Sequence, residues 1–189
     1  MRIIGGTAGG RVLKVPKGFD VRPTPDLVKQ AVFNSLGERV TGAEVLELFG
    51  GSGALGFEAL SRGAAHVICV EKAARHARMI QDNYASLGLE RHLFEMRVQD
   101  AFVAIGQLRT AERSFELILA DPPYGEKNVG KRSESFAQKM LDDPNLPMLL
   151  KPGGLLVMGH SKRDSLDFGS WQESKTLKHG DSLFRFLER

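Results

Sequence analysis

Five short apolar runs, most of them followed by a stretch with helical spacing, dictate most of what this chain can become. AEVLELF (43–49) leads into GALGFEALSR, and HVICVE (66–71) into AARHARMIQDNYASLG, which Gly88 ends. HLFEMRVQ (92–99) precedes a helical stretch over about 100–110. FELILA (115–120) precedes a loop and a helix over about 132–142, and GGLLVMGH (153–160) closes the series. Apolar strands alternating with helices predict an α/β fold whose parallel sheet is covered on both faces. The tail breaks the pattern. WQESKTLKHG and DSLFRFLER are extended stretches joined across Gly180-Asp181, and a two-residue turn makes a hairpin, so the sheet should finish antiparallel.

Ahead of the first run lie about 40 residues of different character. RIIGG and RVLKV flank the Gly-rich TAGG and read as a hairpin over 1–15. Pro16, Gly18 and Pro23 break the chain. Leu27, Ala31, Val32 and Leu36 then recur at helical spacing, giving a helix over about 26–38 that Thr24 or Asp26 can cap. Residues 1–40 carry seven Lys/Arg against three acids, a surplus of four in a chain whose net charge is +3. A basic end on a near-neutral remainder fits a polyanionic partner; a solvated face is the plain alternative. The division expected is a 1–40 extension and a 41–189 domain. The polar, basic loop GEKNVGKRSES (125–135) is the candidate mobile lid.

Several function classes drop out. No run nears the ~20 apolar residues of a membrane span, and the first residues lack the apolar core of a signal peptide. Cys69, the single cysteine, sits in an apolar strand and has no partner for an internal disulfide, which fits a cytoplasmic protein. The five histidines are scattered, so no metal site is expected. Ser52 has no histidine locally placed to activate it, which argues against a nucleophilic hydrolase. Trp171 and the phenylalanines at 184 and 186 read as packing. Nothing calls for an obligate dimer, and a monomer is expected.

The glycine loop after the first strand marks the ligand crevice at the sheet's carboxyl edge. Gly51-x-Gly53-x-x-Gly56, with Glu71 twenty residues after Gly51, fits a dinucleotide fingerprint as written. Glu47, just ahead of the loop, argues for a different ligand. A carboxylate there faces a pyrophosphate unfavourably and suits the ammonium and sulfonium of S-adenosylmethionine. Glu71 can accept from both ribose hydroxyls, as either cofactor requires, and Asp100 from the adenine amine. Three acids at strand ends favour the cationic nucleoside over NAD.

After the fourth strand stands Asp121-Pro122-Pro123-Tyr124. Two prolines lock the turn and donate no hydrogen bond, so nearby carbonyls stay free to accept. Asp121 and the Pro122 carbonyl can take both protons of an exocyclic amine while Tyr124 stacks on its ring. Such a nitrogen is a poor nucleophile, and two acceptors return electron density to it and aim its lone pair at an aligned methyl.

Taken together, Glu47-Leu-Phe-Gly-Gly-Ser-Gly-Ala-Leu-Gly56 and Asp121-Pro-Pro-Tyr124 resemble class I methyltransferases. The opening Met1-Arg-Ile-Ile-Gly-Gly6, Gly10-Arg11, and Arg22-Pro-Thr-Pro-Asp26 running to Phe33-Asn34 narrow the resemblance to the RsmD-type enzymes, which methylate a guanine N2 amine in bacterial small-subunit ribosomal RNA. The Pro-Pro motif alone is shared with DNA adenine and protein glutamine methyltransferases. The resemblance implies a Rossmann-like seven-stranded sheet with an added N-terminal hairpin. It implies that Glu47, Gly50, Gly51, Gly53, Glu71 and Asp100 bind S-adenosylmethionine, with Phe49, Lys72, Ala101 and Asp121 beside them, and that Asp121 to Tyr124 are catalytic. The partner implied is ribosomal RNA or a small-subunit assembly particle, with Arg2, Arg11, Lys14, Arg22, Lys127, Lys131 and Arg132 as candidates for its phosphates. The target base must be extruded or already unstacked. Family members commonly carry Asp where Glu47 stands and Ala where Gly50 stands; the first change lengthens the reach, and the second is expected to loosen the loop.

Overall fold

A computed structural model of the chain describes residues 1–16, 25–124 and 131–189. Among them, seven strands form one sheet: β1 (Glu44–Leu48), β2 (His66–Glu71), β3 (Phe94–Val98), β4 (Phe115–Ala120), β5 (Leu150–Ser161), β6 (Gln172–His179) and β7 (Ser182–Glu188). Their order is β3-β2-β1-β4-β5-β7-β6. The first five pair in parallel, and β7 runs antiparallel between β5 and β6, as the tail's two-residue turn predicts. The helices are α1 (Asp26–Leu36), α2 (Ala54–Ser61), α3 (Ala74–Leu87), α4 (Ala101–Thr110) and α5 (Phe136–Asp142).

Local chemistry sets most boundaries. α3 buries Ala77, Ile80, Tyr84 and Leu87 along one face and stops at Gly88, whose φ of 71° is the left-handed turn that ends helices. Asp100 caps α4 by accepting from Phe102 N–H. α5 starts at Phe136, later than the sequence pattern indicates, because Ser135 takes the capping role by accepting from Gln138 N–H. β5 starts earlier, at Leu150, and absorbs the glycine pair: Gly154 packs between the carbonyls of Lys151 and Phe115 where the register to β4 shifts. Trp171, Phe184 and Phe186 are buried, and Cys69 is fully so.

The N-terminal arms pair as a short hairpin: Arg2 and Val12 form an antiparallel bridge, and Ile3 N–H donates to the Arg11 carbonyl and Leu13 N–H to the Met1 carbonyl, both at 2.9 Å. Other N–H groups of the segment dock it on α2. Glu58 accepts from Ile4 and Gly5 N–H at 2.7 and 2.9 Å, and Ser61 accepts from Ala8 through its hydroxyl and from Thr7 through its carbonyl. Glu58 is itself buried, with Arg62 at 2.8 Å and the buried Lys29 ammonium at 3.9 Å. Burial lowers the pKa of Lys29, against the pull of Glu58 and Asp26. Ile3, Ala8, Leu13, Val28, Val32 and Phe33 share one apolar cluster with Val45, Phe57, Leu155 and Phe184. Asp26 does not cap α1: Pro25 holds the cap position without a side-chain bond, and Asp26 pairs instead with Arg2 and Lys29; the other expected cap, Thr24, lies outside the described residues.

Candidate methyl-transfer site

β1 and β4 are neighbours, paired Glu47 to Leu119 and Leu48 to Ala120. Adjacent strands lie about 4.8 Å apart. The glycine loop that follows β1 and the Pro-Pro corner that follows β4 therefore leave the same edge of the sheet side by side.

The loop is bent by backbone conformations that side chains resist. Phe49, Gly51 and Gly53 have φ of 59°, 57° and 77°. Phe49 is the costly one, a bulky residue in the left-handed region. Its ring is gripped by two others, with Phe136 at 5.7 Å and Phe102 at 6.2 Å between centroids. Phe136, at the start of α5, is 40% exposed, so the aromatic cluster around Phe49 is open to solvent on one side. Sequence reading missed Phe102 and Phe136 because three separate segments bring the rings together.

Each of the three acids already holds backbone. Glu71 accepts from Gly51 N–H at 2.9 Å through one oxygen and from Ala73 N–H at 2.8 Å through the other. Each oxygen retains a lone pair. Asp100 caps α4 and meets the Lys72 ammonium at 3.2 Å. Burial pushes its carboxyl up, but the Phe102 N–H and Lys72 outweigh this and hold it below its ordinary value. Ala101, next to it, is buried in the first turn of α4. Glu47 lies under the first turn of α2, 2% exposed, with Leu55 N–H donating to it at 3.2 Å. Burial raises its pKa to about 7, with the nearby Cys69 thiol and the Gly56 and Leu55 N–H groups only partly offsetting this and the Glu71 charge adding to it.

The sign of that shift fixes a pH dependence. Below an unfolded value of 4.5 both states are protonated. Between 4.5 and 7 the unfolded chain ionises Glu47 first, so stability falls by ~3 kcal/mol over that window and is flat above it. Glu47→Gln should remove this slope: the Tm advantage of the variant over the parent grows from pH 5 to pH 8. Parallel Tm curves would refute a buried, titrating Glu47.

Two departures from the family pattern prove to be coupled to their surroundings. A Cβ at Gly50 would meet Cys69 Sγ at 2.5 Å and Ile80 Cδ1 at 3.2 Å, so glycine here makes room for sulfur rather than loosening the loop. A Cβ at Gly56 would meet Glu47 Oε2 at 2.6 Å, so the longer acid needs that glycine. Gly50→Ala is expected to cost about 1–3 kcal/mol by overpacking, and most of that cost should vanish in a Cys69→Ala background. Equal costs in the two backgrounds, by chemical denaturation, would contradict the coupling.

At the corner, Asp121 lies against β5, where a methyl at Gly159 would overlap its carboxylate. Pro122 is buried, Pro123 exposed, and Tyr124 is 37% exposed. The basic candidates scatter. Arg2 pairs with Asp26 at 3.3 Å and Lys14 with Asp82 at 3.5 Å, both well exposed, while Arg11 is exposed and meets no acid among the described residues. Lys131 is exposed, whereas Arg132 forks onto Asp142 with two 2.7 Å bonds, tying the end of the loop to α5. Arg22, Lys127 and residues 125–130 of the expected lid lie outside the described residues. Among the described residues no cluster of metal-ligating side chains occurs, and no helix is long and apolar enough to cross a membrane.

The family model described as "Conserved hypothetical protein 95" matches residues 1–188. YlbH of Bacillus subtilis, provisionally named an rRNA methyltransferase, is 40% identical over 129 residues, which span 68% of this chain and 70% of YlbH. Ribosomal RNA small subunit methyltransferase D of Escherichia coli K12 is 36% identical over 128 residues, 66% of this chain and 60% of that protein. A solved structure of a hypothetical protein from Thermus thermophilus superposes with a TM-score of 0.81 at 27% identity, covering 100% of this chain and 99% of that one.

Proposed function

Because the chain belongs to the Conserved hypothetical protein 95 family, the RsmD-type class I methyltransferases that use S-adenosylmethionine, we propose that it methylates the exocyclic N2 amine of a guanine in small-subunit ribosomal RNA. The observation that carries this reading is the pairing of β1 with β4, which sets the glycine loop beside Asp121-Pro122-Pro123-Tyr124.

The pocket's chemistry fits the donor. A buried carboxyl whose pKa is driven up to about 7 is short of positive charge, which a sulfonium and an ammonium supply and a pyrophosphate does not. Glu71 anchors the loop and accepts the ribose hydroxyls with its remaining lone pairs. Asp100 takes the adenine amine beside Phe49 and Ala101, with Lys72 holding its charge. S-adenosylmethionine, when bound, supplies a methyl group whose bond to sulfur breaks with its electrons leaving on sulfur.

The corner prepares the acceptor. Asp121 and the Pro122 carbonyl each accept one amine N–H, Pro123 fixes their angle, and Tyr124 stacks on the base. Held so, the nitrogen aims its lone pair across the edge toward the donor. Asp121 is the acceptor closest to the proton that the nitrogen must give up as the new N–C bond forms. Residues 1–40 form the RNA-binding extension, with Arg2, Arg11, Lys14 and Arg22 as the phosphate contacts, joined by Lys127, Lys131 and Arg132 from the segment that follows Tyr124 in the sequence. The reading is tested by mass mapping of methylated guanines in ribosomal RNA from cells with and without the gene. One N2-methylguanine in the small-subunit RNA should disappear with the gene; an unchanged map refutes the assignment.

A further inference from the structure

Asn83 is polar in a place where α3 should be apolar. It falls on the buried stripe of Ala77, Ile80, Tyr84 and Leu87 and is 2% exposed. Both N–H groups and the oxygen of its amide are engaged, by two different parts of the molecule. Oδ1 accepts from Lys14 N–H at 2.8 Å, and Nδ2 donates back to the Lys14 carbonyl at 2.9 Å. That reciprocal pair treats residue 14 as a strand would. The second Nδ2 hydrogen goes to the carbonyl of Ser52, inside the glycine loop, at 3.1 Å. The Ser52 hydroxyl in turn lies 3.4 Å from Met1 Sδ. Both ends of the N-terminal segment therefore rest on the cofactor loop or on the residue that holds it.

A buried amide with one partner on each of two segments cannot follow both when they move apart. If residue 14 shifts, Asn83 either carries the Ser52 carbonyl with it or leaves a buried polar group unpaired, which is unfavourable. We propose that Asn83 is a positioning residue that makes cofactor and RNA binding cooperative, by fastening the RNA-binding arm at Lys14 to the cofactor loop at Ser52. The inference rests on the reading of residues 1–40 as an RNA-binding extension. Such coupling is reciprocal: RNA on the arm tightens the loop around the cofactor by the factor by which cofactor tightens the arm on RNA.

The test measures S-adenosylhomocysteine affinity by calorimetry, with and without unmethylated small-subunit ribosomal RNA, supplied naked and as small-subunit particles. In the parent protein RNA should tighten cofactor binding about 5-fold or more. Asn83→Ala should bring that ratio to about 1. Asn83→Asp keeps the size of the side chain and the acceptor for Lys14 N–H but loses both Nδ2 donors, to the Lys14 carbonyl and to Ser52; it should also abolish the ratio, with a lower Tm, and is measured at a temperature where its circular dichroism matches that of the parent. A purely structural role would weaken both affinities and lower Tm but preserve the ratio, and that result overturns the proposal. A parent protein that binds RNA with a ratio of 1 overturns it too, with the RNA reading intact. A parent that binds neither form of RNA overturns both.

Discussion

Asp121→Ala should lower methyl transfer to ribosomal RNA about 100- to 1,000-fold while RNA binding stays at the parent level. The magnitude is that of removing one preorganised polar group from a reacting centre. Asp121 matters in this account because a ring amine has its lone pair drawn into the ring, and one prolyl carbonyl alone neither restores that density nor fixes its direction. The position of the carboxylate is set by close contact with β5 at Gly159, where any side chain would displace it. Gly159→Ala should therefore lower turnover in the same direction with the carboxylate still present. Single-turnover methylation with labelled cofactor, alongside filter binding of RNA, separates the effects. Unchanged turnover in Asp121→Ala would remove the residue from the chemistry.

Glu71→Ala should weaken S-adenosylmethionine binding about 100-fold or more. The carboxylate carries two loads. It receives the N–H groups of Gly51 and Ala73, and in the proposed reading it supplies the acceptors for a ribose. Hydrogen bonds to a charged group contribute about 1.5–3 kcal/mol each, and losing two of them is a factor of 100 or more in affinity. Glu71→Gln separates the loads. It retains one acceptor oxygen, so it can hold Gly51 or Ala73 but not both while serving the ribose, and an intermediate loss is expected. Calorimetric titration distinguishes the cases; a parent-like affinity in Glu71→Ala would place the ribose elsewhere.

The sheet was largely legible in the sequence because the first four parallel strands announce themselves twice, by an apolar run and by the helix that comes after it. The tail hairpin was legible from Gly180-Asp181, and the two halves of the site from a glycine loop and a proline pair at strand ends. What escaped depends on partners far along the chain. The N-terminal arms pair with each other as read, but the N–H groups of Ile4, Gly5 and Ala8 go to Glu58 and Ser61, some 53 to 54 residues away. Gly50 reads as a loose point until Cys69 on the neighbouring strand fills the space a methyl would need. Asn83 drew no notice in the sequence, because what marks it is its burial and its bonds to Lys14 and Ser52. The acids at 47, 71 and 100 were placed correctly at strand ends, yet their hydrogen bonds to the loop and helix starts follow only from the three-dimensional path.

The account turns on one edge of one sheet holding a cationic methyl donor on the β1–β2 side and a flat amine on the β4 side. A crystal of the protein grown with S-adenosylhomocysteine tests it directly. The ribose hydroxyls should lie within hydrogen-bonding distance of Glu71, with the sulfur facing Asp121 across a slot wide enough for one base beside Tyr124. Density for the ligand away from Glu47 and Glu71, or a sulfur turned away from the Pro-Pro corner, would contradict it.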